Sequence, residues 1–493
     1  MLFDGEQTRF IYKEFNKKTV AIQGLSGTGK TELLLHKLKE LYTLDDSSKI
    51  YFTCHNIALA NNLRERVPSF FNFMKVEKQI EWHKRLWISH AWGSGNNPNS
   101  GFYSFLCSFY NIPFLRYSII NDYKKIFSVA LNHINSIKEE NFKFAFDYIL
   151  IDERQDFPSV FFELCEKIAK NKVYIAGDIF QDIFENTKDT ELEVDIVLNR
   201  CYRTDPRTLM FAHGISLGLF EKKKLNWFTD NYWNAIGYNI KRLAKREIHL
   251  FREPIRRFEN LKTEEFESVI IDPSVTPNNV IKIIKELKQK HKDLKPDDIA
   301  IIILEDGKNV FDYIDSLSSS IEAILKCNVN RAHENKNKIP NSIYISNPNN
   351  IKGLEFPFVI CITASIKNNY RYRNILYTML TRSFIQSYLL VKNLEGISDN
   401  KNGLKIINER NYIQTIEPDE DEKKEIENKL TTFIQNNTNI SYEDFVDNIL
   451  NELKIEKKYW KKFREALFHT DFDKFDKQKT IKFINANKEF YGA

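Results

Sequence analysis

The chain has 493 residues, 42% apolar and 28% charged, which is enough for two or three domains that each bury a core and excludes a small module or a disordered polymer. Its 72 Lys and Arg barely exceed its 67 Asp and Glu, so a nucleic-acid partner is permitted but must be met by a locally basic groove. Six cysteines (Cys54, Cys107, Cys165, Cys201, Cys327, Cys361) stand singly, which argues against zinc and iron–sulfur sites; with no leader-like start and no apolar run of ~20 residues, a cytoplasmic protein with reduced thiols is expected.

In chain order, apolar strand-like runs at 19–22, 49–53, 148–151 and 173–176 alternate with helix-period segments. Strands separated by helices predict a parallel sheet covered on both faces. A second set, at 298–304, 342–345, 358–362 and 387–391, predicts a second α/β domain. The expected organisation is a first domain over 1–200 with a mostly helical, aromatic-rich insertion over about 57–145. A second domain follows over 201–399 with a short basic insertion over about 222–264. The segment 400–493 is expected to be an acidic linker, centred on Glu417-Pro418-Asp419-Glu420-Asp421-Glu422, followed by a helical tail.

The strongest chemical signal is Gly24-Leu25-Ser26-Gly27-Thr28-Gly29-Lys30-Thr31, directly after one strand and directly before a helix. Its glycines let consecutive N–H groups wrap phosphate oxygens at a helix N-terminus, Lys30 reaches the outer phosphates, and the Thr31 hydroxyl can ligate Mg²⁺. Such a loop needs a carboxylate at the end of a neighbouring strand. The run Tyr148-Ile149-Leu150-Ile151-Asp152-Glu153 supplies two: Asp152 to hold Mg²⁺ and Glu153 to polarise the attacking water. ATP and Mg²⁺ are the expected cofactors.

With Asp152-Glu153-Arg154-Gln155-Asp156 the chain resembles the superfamily 1 helicases of the UvrD/Rep type, and further motifs follow in the family's order between residues 4 and 383. The resemblance implies two RecA-like P-loop domains and assigns roles. Gln181 of Gly177-Asp178-Ile179-Phe180-Gln181 would sense the γ-phosphate. In Asn199-Arg200-Cys201-Tyr202-Arg203, Tyr202 would pack on adenine and Arg203 would touch the γ-phosphate. Glu355 belongs to the nucleotide-site motif Lys352-Gly353-Leu354-Glu355-Phe356. Arg382 of Tyr377-Thr378-Met379-Leu380-Thr381-Arg382-Ser383 would act as an in-chain arginine finger. Asp4-Gly5-Glu6-Gln7 resembles the segment whose glutamine, here Gln7, reads the adenine edge.

The resemblance also implies a DNA helicase or translocase moving 3′ to 5′ on single-stranded or partly duplex DNA, with RNA left open. His55 and Asn56 of Phe52-Thr53-Cys54-His55-Asn56, His90 and Trp92 of His90-Ala91-Trp92-Gly93, and Phe184 are the candidate strand contacts. Phe52 reads equally as core. Where the family continues from Gln181 with strand-stacking aromatics, only Phe184 remains, and the span between Arg203 and Lys352 is short, so a reduced motor is expected. The segment Cys201–Pro206 with Ala212-His213-Gly214 resembles a bacterial UvrD-like branch, some members of which lie in defence-related gene neighbourhoods, implying phage defence or DNA processing. The alternative is an ATP-gated switch that recruits a partner nuclease or effector, with the C-terminal tail as a protein-contact candidate. In that tail, Tyr459-Trp460-Lys461-Lys462-Phe463-Arg464 reads either as an amphipathic docking helix or as a nucleic-acid contact.

Overall fold

The computed structural model describes residues 5–118, 121–181, 194–201, 203–252, 267–305, 309–335, 338–393, 397–427, 429, 442–468 and 477–491. Asp4, Phe184 and Tyr202 lie outside these residues.

Strands β1 (Thr19–Gly24), β2 (Ile50–Cys54), β3 (Leu86–His90), β4 (Phe146–Ile151), β5 (Ala169–Asp178) and β6 (Ile196–Leu198) form a parallel sheet in the order β3-β2-β4-β5-β1-β6. The period-two side-chain alternation splits its residues between two cores. Val20, Ile22, Phe52, Leu150 and Tyr174 pack under the helices Lys30–Leu44 and Ile57–Phe73. Tyr51, Ile149, Ile151, Val173 and Ile175 face the helices Phe102–Phe109, Tyr123–Asn135 and Ser159–Ile168. Register places the site: Gly24 at the end of β1 pairs with Asp178 at the end of β5, and Ile151 at the end of β4 pairs with Ile175.

The small antiparallel sheet comes next in the chain, with β7 (Asn239–Arg242) and β8 (Glu247–Phe251). The second parallel sheet contains β9 (Val269–Asp272), β10 (Ile299–Ile303), β11 (Asn328–Arg331), β12 (Ser342–Ser346), β13 (Phe356–Thr363) and β14 (Ser383–Val391), ordered β11-β12-β10-β13-β14-β9. The third strand of the small antiparallel sheet, β15 (Tyr412–Ile416), pairs back onto β8.

Three expected boundaries are corrected. The span 57–145 is not a separate subdomain inserted into the first domain, because β3 lies within it and pairs with β2 from Ile50↔Leu86 to Cys54↔His90. Its aromatics are the sheet's own covering layer: Phe102, Tyr103 and Phe127 are buried with Phe146 and Phe161, and full burial of each contributes about 1.5–3 kcal/mol. The span 222–264 includes the β7–β8 hairpin rather than a loose basic insertion. A boundary at 400 would cut the helix Ile397–Arg410 and detach β15 from β8. The acidic run is also tied down, since Glu417 pairs with Arg242 and Lys423, and Asp419 and Glu422 pair with Arg246.

The described parts of the C-terminal segment form the helices Tyr442–Glu452, Lys457–Phe468 and Lys477–Tyr491 around Val446, Leu450, Phe463, Leu467 and Ile484. Among the described residues no helix is long and apolar enough to cross a membrane. All six cysteines are buried and unbridged.

Candidate active site

The site lies at the C-terminal ends of β1, β4 and β5, where an open parallel sheet presents its crevice. The segment after β1 reaches the helix Lys30–Leu44 through Gly27 and Gly29, both in the left-handed region with φ of 79° and 89°. A side chain at Gly27 would also meet Cys201 Sγ at 2.7 Å and Thr204 Oγ1 at 2.9 Å. Glycine is needed there for conformation and for the close approach of the chain entering the second α/β unit.

Lys30 is buried, with its Nζ donating to the carbonyls of Gly24 and Leu25 at 3.0 and 2.9 Å and lying 4.0 Å from Asp178 Oδ2. Thr31 Oγ1 donates to Asp152 Oδ2 at 2.6 Å. Burial, reinforced by the neighbouring Glu153 charge, pushes the Asp152 carboxyl up to about 6, while the Thr31 hydroxyl and Lys30 pull the other way. Burial likewise raises Asp178, with Lys30 opposing. A hydroxyl and a carboxylate in contact, one residue from a buried lysine, are an oxygen-donor set that suits a hard divalent cation shared with phosphate. The fit to Mg²⁺-ATP therefore rests on Thr31, Asp152 and the loop N–H groups.

Glu153 occupies the left-handed region at φ 57°, ψ 56°, a conformation costly for a residue with a side chain and concentrated at functional sites. Its carboxylate accepts from Gln155 Nε2 at 2.6 Å, and Gln155 also donates to Gln181 Oε1 at 3.3 Å. Gln181 Nε2 reaches Asp178 Oδ2 at 3.3 Å. Glutamate and both glutamines are thus linked in one polar chain along the strand ends.

The opposite wall comes from the second unit. Arg203 pairs through Nη1 with Glu355 and through Nη2 reaches Ser26 Oγ at 3.4 Å. Arg382 is buried, with Nη2 4.0 Å from Glu153 Oε1. Gly353, φ 78°, brings its backbone so close to the helix Ile57–Phe73 that an added side chain would meet Leu59 at 2.7 Å. The resulting cleft of about 470 Å³ is lined by Ser26, Gly27, Gly29, Lys30, Thr31, Asp152, Glu153, Gln181, Arg203, Glu355 and Arg382 among others.

Gly24, Thr28 and Gln7, also expected at the nucleotide, are not among the cleft-lining residues. Gly24 and Thr28 shape the loop from behind: Thr28 Oγ1 donates to Leu25 O at 2.9 Å, and its carbonyl accepts from buried Gln7 Nε2 at 3.2 Å. Tyr202 lies outside the described residues. Reading the sequence missed Asp178, Arg66 and Lys338, which also line the cleft. Arg66, paired with Glu32, sits on the helix Ile57–Phe73, within the span whose composition reads as an insertion. Asp178 was legible, standing within the quoted run that ends in Gln181.

The nucleic-acid candidates cluster at the ends of β2 and β3. Asn56 caps the helix Ile57–Phe73, accepting from Leu59 N at 3.1 Å, and its Nδ2 donates across the cleft to Asn349 O at 2.9 Å. His90 is turned onto its own loop, with Nε2 accepting from the Gly93 N–H at 3.1 Å. Trp92 is half-buried: Tyr103 stacks on it at 4.9 Å, and Tyr123 and Phe114 edge it at 5.1 and 5.8 Å. Phe52 is fully buried core. His55 sits edge-on to Tyr123 and Phe157, and burial holds its imidazole below the ordinary range, with Asp156 opposing. Beside it, Lys352 bridges to Asp156 at 2.5 Å. Tyr117, 49% exposed, offers the open ring that the sequence did not single out, packed on Tyr123 at 4.9 Å. Phe184 lies outside the described residues.

Residues 7–186 match the family model described as an AAA domain, and residues 342–390 match that described as the UvrD-like helicase C-terminal domain. The first runs from Gln7 to just beyond Gln181, and the second takes in β12, β13 and most of β14 with Glu355 and Arg382. Among solved structures, the C-terminal domain of a possible DNA helicase from a Lactobacillus (strain WCFS1) is 16% identical, with 39% of this chain and 89% of that chain covered and a TM-score of 0.24. No curated protein sequence matches the chain.

Proposed function

We propose, from the premise that the chain is a UvrD-like helicase, that it is a reduced ATP-driven motor on single-stranded nucleic acid, with DNA as the first candidate track and 3′ to 5′ movement as the family resemblance implies. The supporting observation is the division of the catalytic groups: Lys30, Thr31, Asp152, Glu153 and Gln181 belong to one α/β unit, and Glu355 and Arg382 to the other. A nucleotide held by both walls draws them together, and its hydrolysis removes that link.

In this reading Lys30 and the loop N–H groups bind the phosphates, and Thr31 with Asp152 would hold Mg²⁺, which supplies charge neutralisation on the transferring phosphoryl group. Glu153 takes the proton from the attacking water and is oriented by Gln155. Gln181 connects that glutamate to Asp178. Arg382 stabilises charge from the far wall. The Asp156–Lys352 and Asn56–Asn349 links, at the β2 end of the cleft, would transmit closure to the aromatic cluster of His55, Tyr123 and Tyr117, where bases stack.

The test is steady-state ATP hydrolysis with and without single-stranded DNA, single-stranded RNA and duplex, using Glu153→Gln as the blank. Stimulation by one single strand supports the motor and names its track. Basal turnover with no stimulation supports the partner-gated switch instead. The defence or DNA-processing role rests on the resemblance of the segments 201–206 and 212–214 to a UvrD-like branch alone and has no counterpart in the geometry.

A further inference from the structure

The helix Lys457–Phe468 carries five cations, Lys457, Lys458, Lys461, Lys462 and Arg464, against the single carboxylate of Glu465. The four lysines are exposed and fall at i, i+1, i+4 and i+5, one face of the helix. Phe463 and Leu467 occupy the opposite face and are fully buried against Val446, Leu450 and Ile484. Arg464 is committed elsewhere, gripping Asp447 with two bonds of 2.6 and 2.5 Å, and the Trp460 indole N–H donates to Ile455 O at 2.8 Å. The scaffold beneath the lysines is therefore braced.

This arrangement opposes helix stability. Lys457/Lys461 and Lys458/Lys462 are like-charge i,i+4 pairs, each destabilising by roughly 0.2–0.5 kcal/mol. Among the described residues Lys461 and Lys462 make no ion pair, and only Lys458 is relieved, by Glu456 at 2.6 Å. A stripe that costs stability and leaves its charges outward is suited to a polyanion.

We infer that this C-terminal three-helix unit is a second, sequence-independent contact for the phosphate backbone of nucleic acid, made by Lys457, Lys458, Lys461 and Lys462. From first to last lysine the stripe extends about 7.5 Å along the helix, which covers about two phosphates of one strand. A lipid surface fits less well. Interfacial helices insert an apolar face, and here that face is consumed by the unit's own core. The unit would hold the track independently of the nucleotide cleft, which keeps a small motor from diffusing away while its two α/β units are apart. The inference rests on a nucleic-acid track, as the motor reading does, but on different residues.

The experiment is fluorescence anisotropy of labelled oligothymidylate and of a labelled duplex with the full chain. Wild type is compared with a variant carrying Lys→Gln at 457, 458, 461 and 462 and with one carrying Lys→Arg at the same positions, across a salt series. The glutamine variant is expected to bind both probes at least tenfold more weakly, with a salt slope shallower by about one to three. The arginine variant should bind like wild type, and ATP turnover without nucleic acid should be unchanged in both. Equal affinity and slope for the glutamine variant overturn the inference, as does lysine-dependent binding to phosphatidylserine vesicles with none to either oligonucleotide. If the lysines govern binding yet no strand stimulates turnover, the motor reading fails while this one stands. If strands stimulate turnover and the lysines are silent, this one fails alone.

Discussion

Tyr377, on the helix Tyr370–Leu380, donates its hydroxyl to Asp178 Oδ2 at 3.4 Å and accepts the Ser26 backbone N–H at 3.4 Å. One hydroxyl from the second unit thus touches both the phosphate loop and the end of β5. Burial keeps that phenol protonated and able to donate. Its ring packs 4.3 Å from Phe180 and 5.2 Å from His213, so Tyr377→Phe keeps the packing and deletes only the polar bridge. At about 1 kcal/mol for the lost bond, turnover should fall about fivefold with folding intact. Wild-type turnover in this variant would show that the bridge does not couple the two units.

Lys30→Ala should abolish ATP binding, and Glu153→Gln should keep it, because the Thr31–Asp152 pair is untouched. A fluorescent ATP analogue measures the first effect. For the second, single-turnover hydrolysis should drop by about 10²–10⁴-fold if Glu153 is the base. Normal hydrolysis by Glu153→Gln would remove it from that role.

Arg382→Ala should lower turnover by about 10³-fold or more with ATP affinity much less affected, as expected of a finger that acts on developing charge. The guanidinium's 4.0 Å approach to Glu153 places it beside the same reacting centre. A loss below tenfold would reassign Arg382 to holding the walls together.

Asp152 gives a pH signature. Burial raises its folded carboxyl from the ordinary value of 3.8 to about 6. Between those values the folded chain binds a proton that the unfolded chain has released. This group's contribution to stability is therefore fully present below about pH 4 and is lost as pH rises through 6. In metal-free protein, Asp152→Asn should raise the melting temperature at pH 7.5 and raise it less at pH 5. An equal shift at both values would show that the carboxyl is not perturbed.

The position of the second unit's end can be tested by truncation. A chain ending at 399 loses most of the helix Ile397–Arg410 and the β15 partner of β8, exposing Leu250 and Ile248 of that pair. It should aggregate. A chain ending at 429 keeps both and should retain ATP turnover without nucleic acid. Soluble, active 1–399 protein would restore the boundary read from composition.

The sequence by itself specified the phosphate loop, the Asp152-Glu153 pair and the central strands of both sheets. β1, β2, β4 and β5, with β10, β12, β13 and β14, were legible because a strand covered on both faces must be apolar at nearly every position. The four edge strands, β3, β6, β9 and β11, were not, since each has a neighbour on one side only and they include runs as short as Ile196–Leu198 and as polar as Asn-Val-Asn-Arg. Tertiary structure alone decided that the aromatics of 102–127 are a covering layer, that Tyr103 stacks on Trp92, that Arg66 and Lys338 join the cleft, and that Tyr377 bridges the phosphate loop and the end of β5. Local composition cannot encode these outcomes. Each depends on which distant backbone arrives beside the residue, as Gly353 does at Leu59 and β15 at β8.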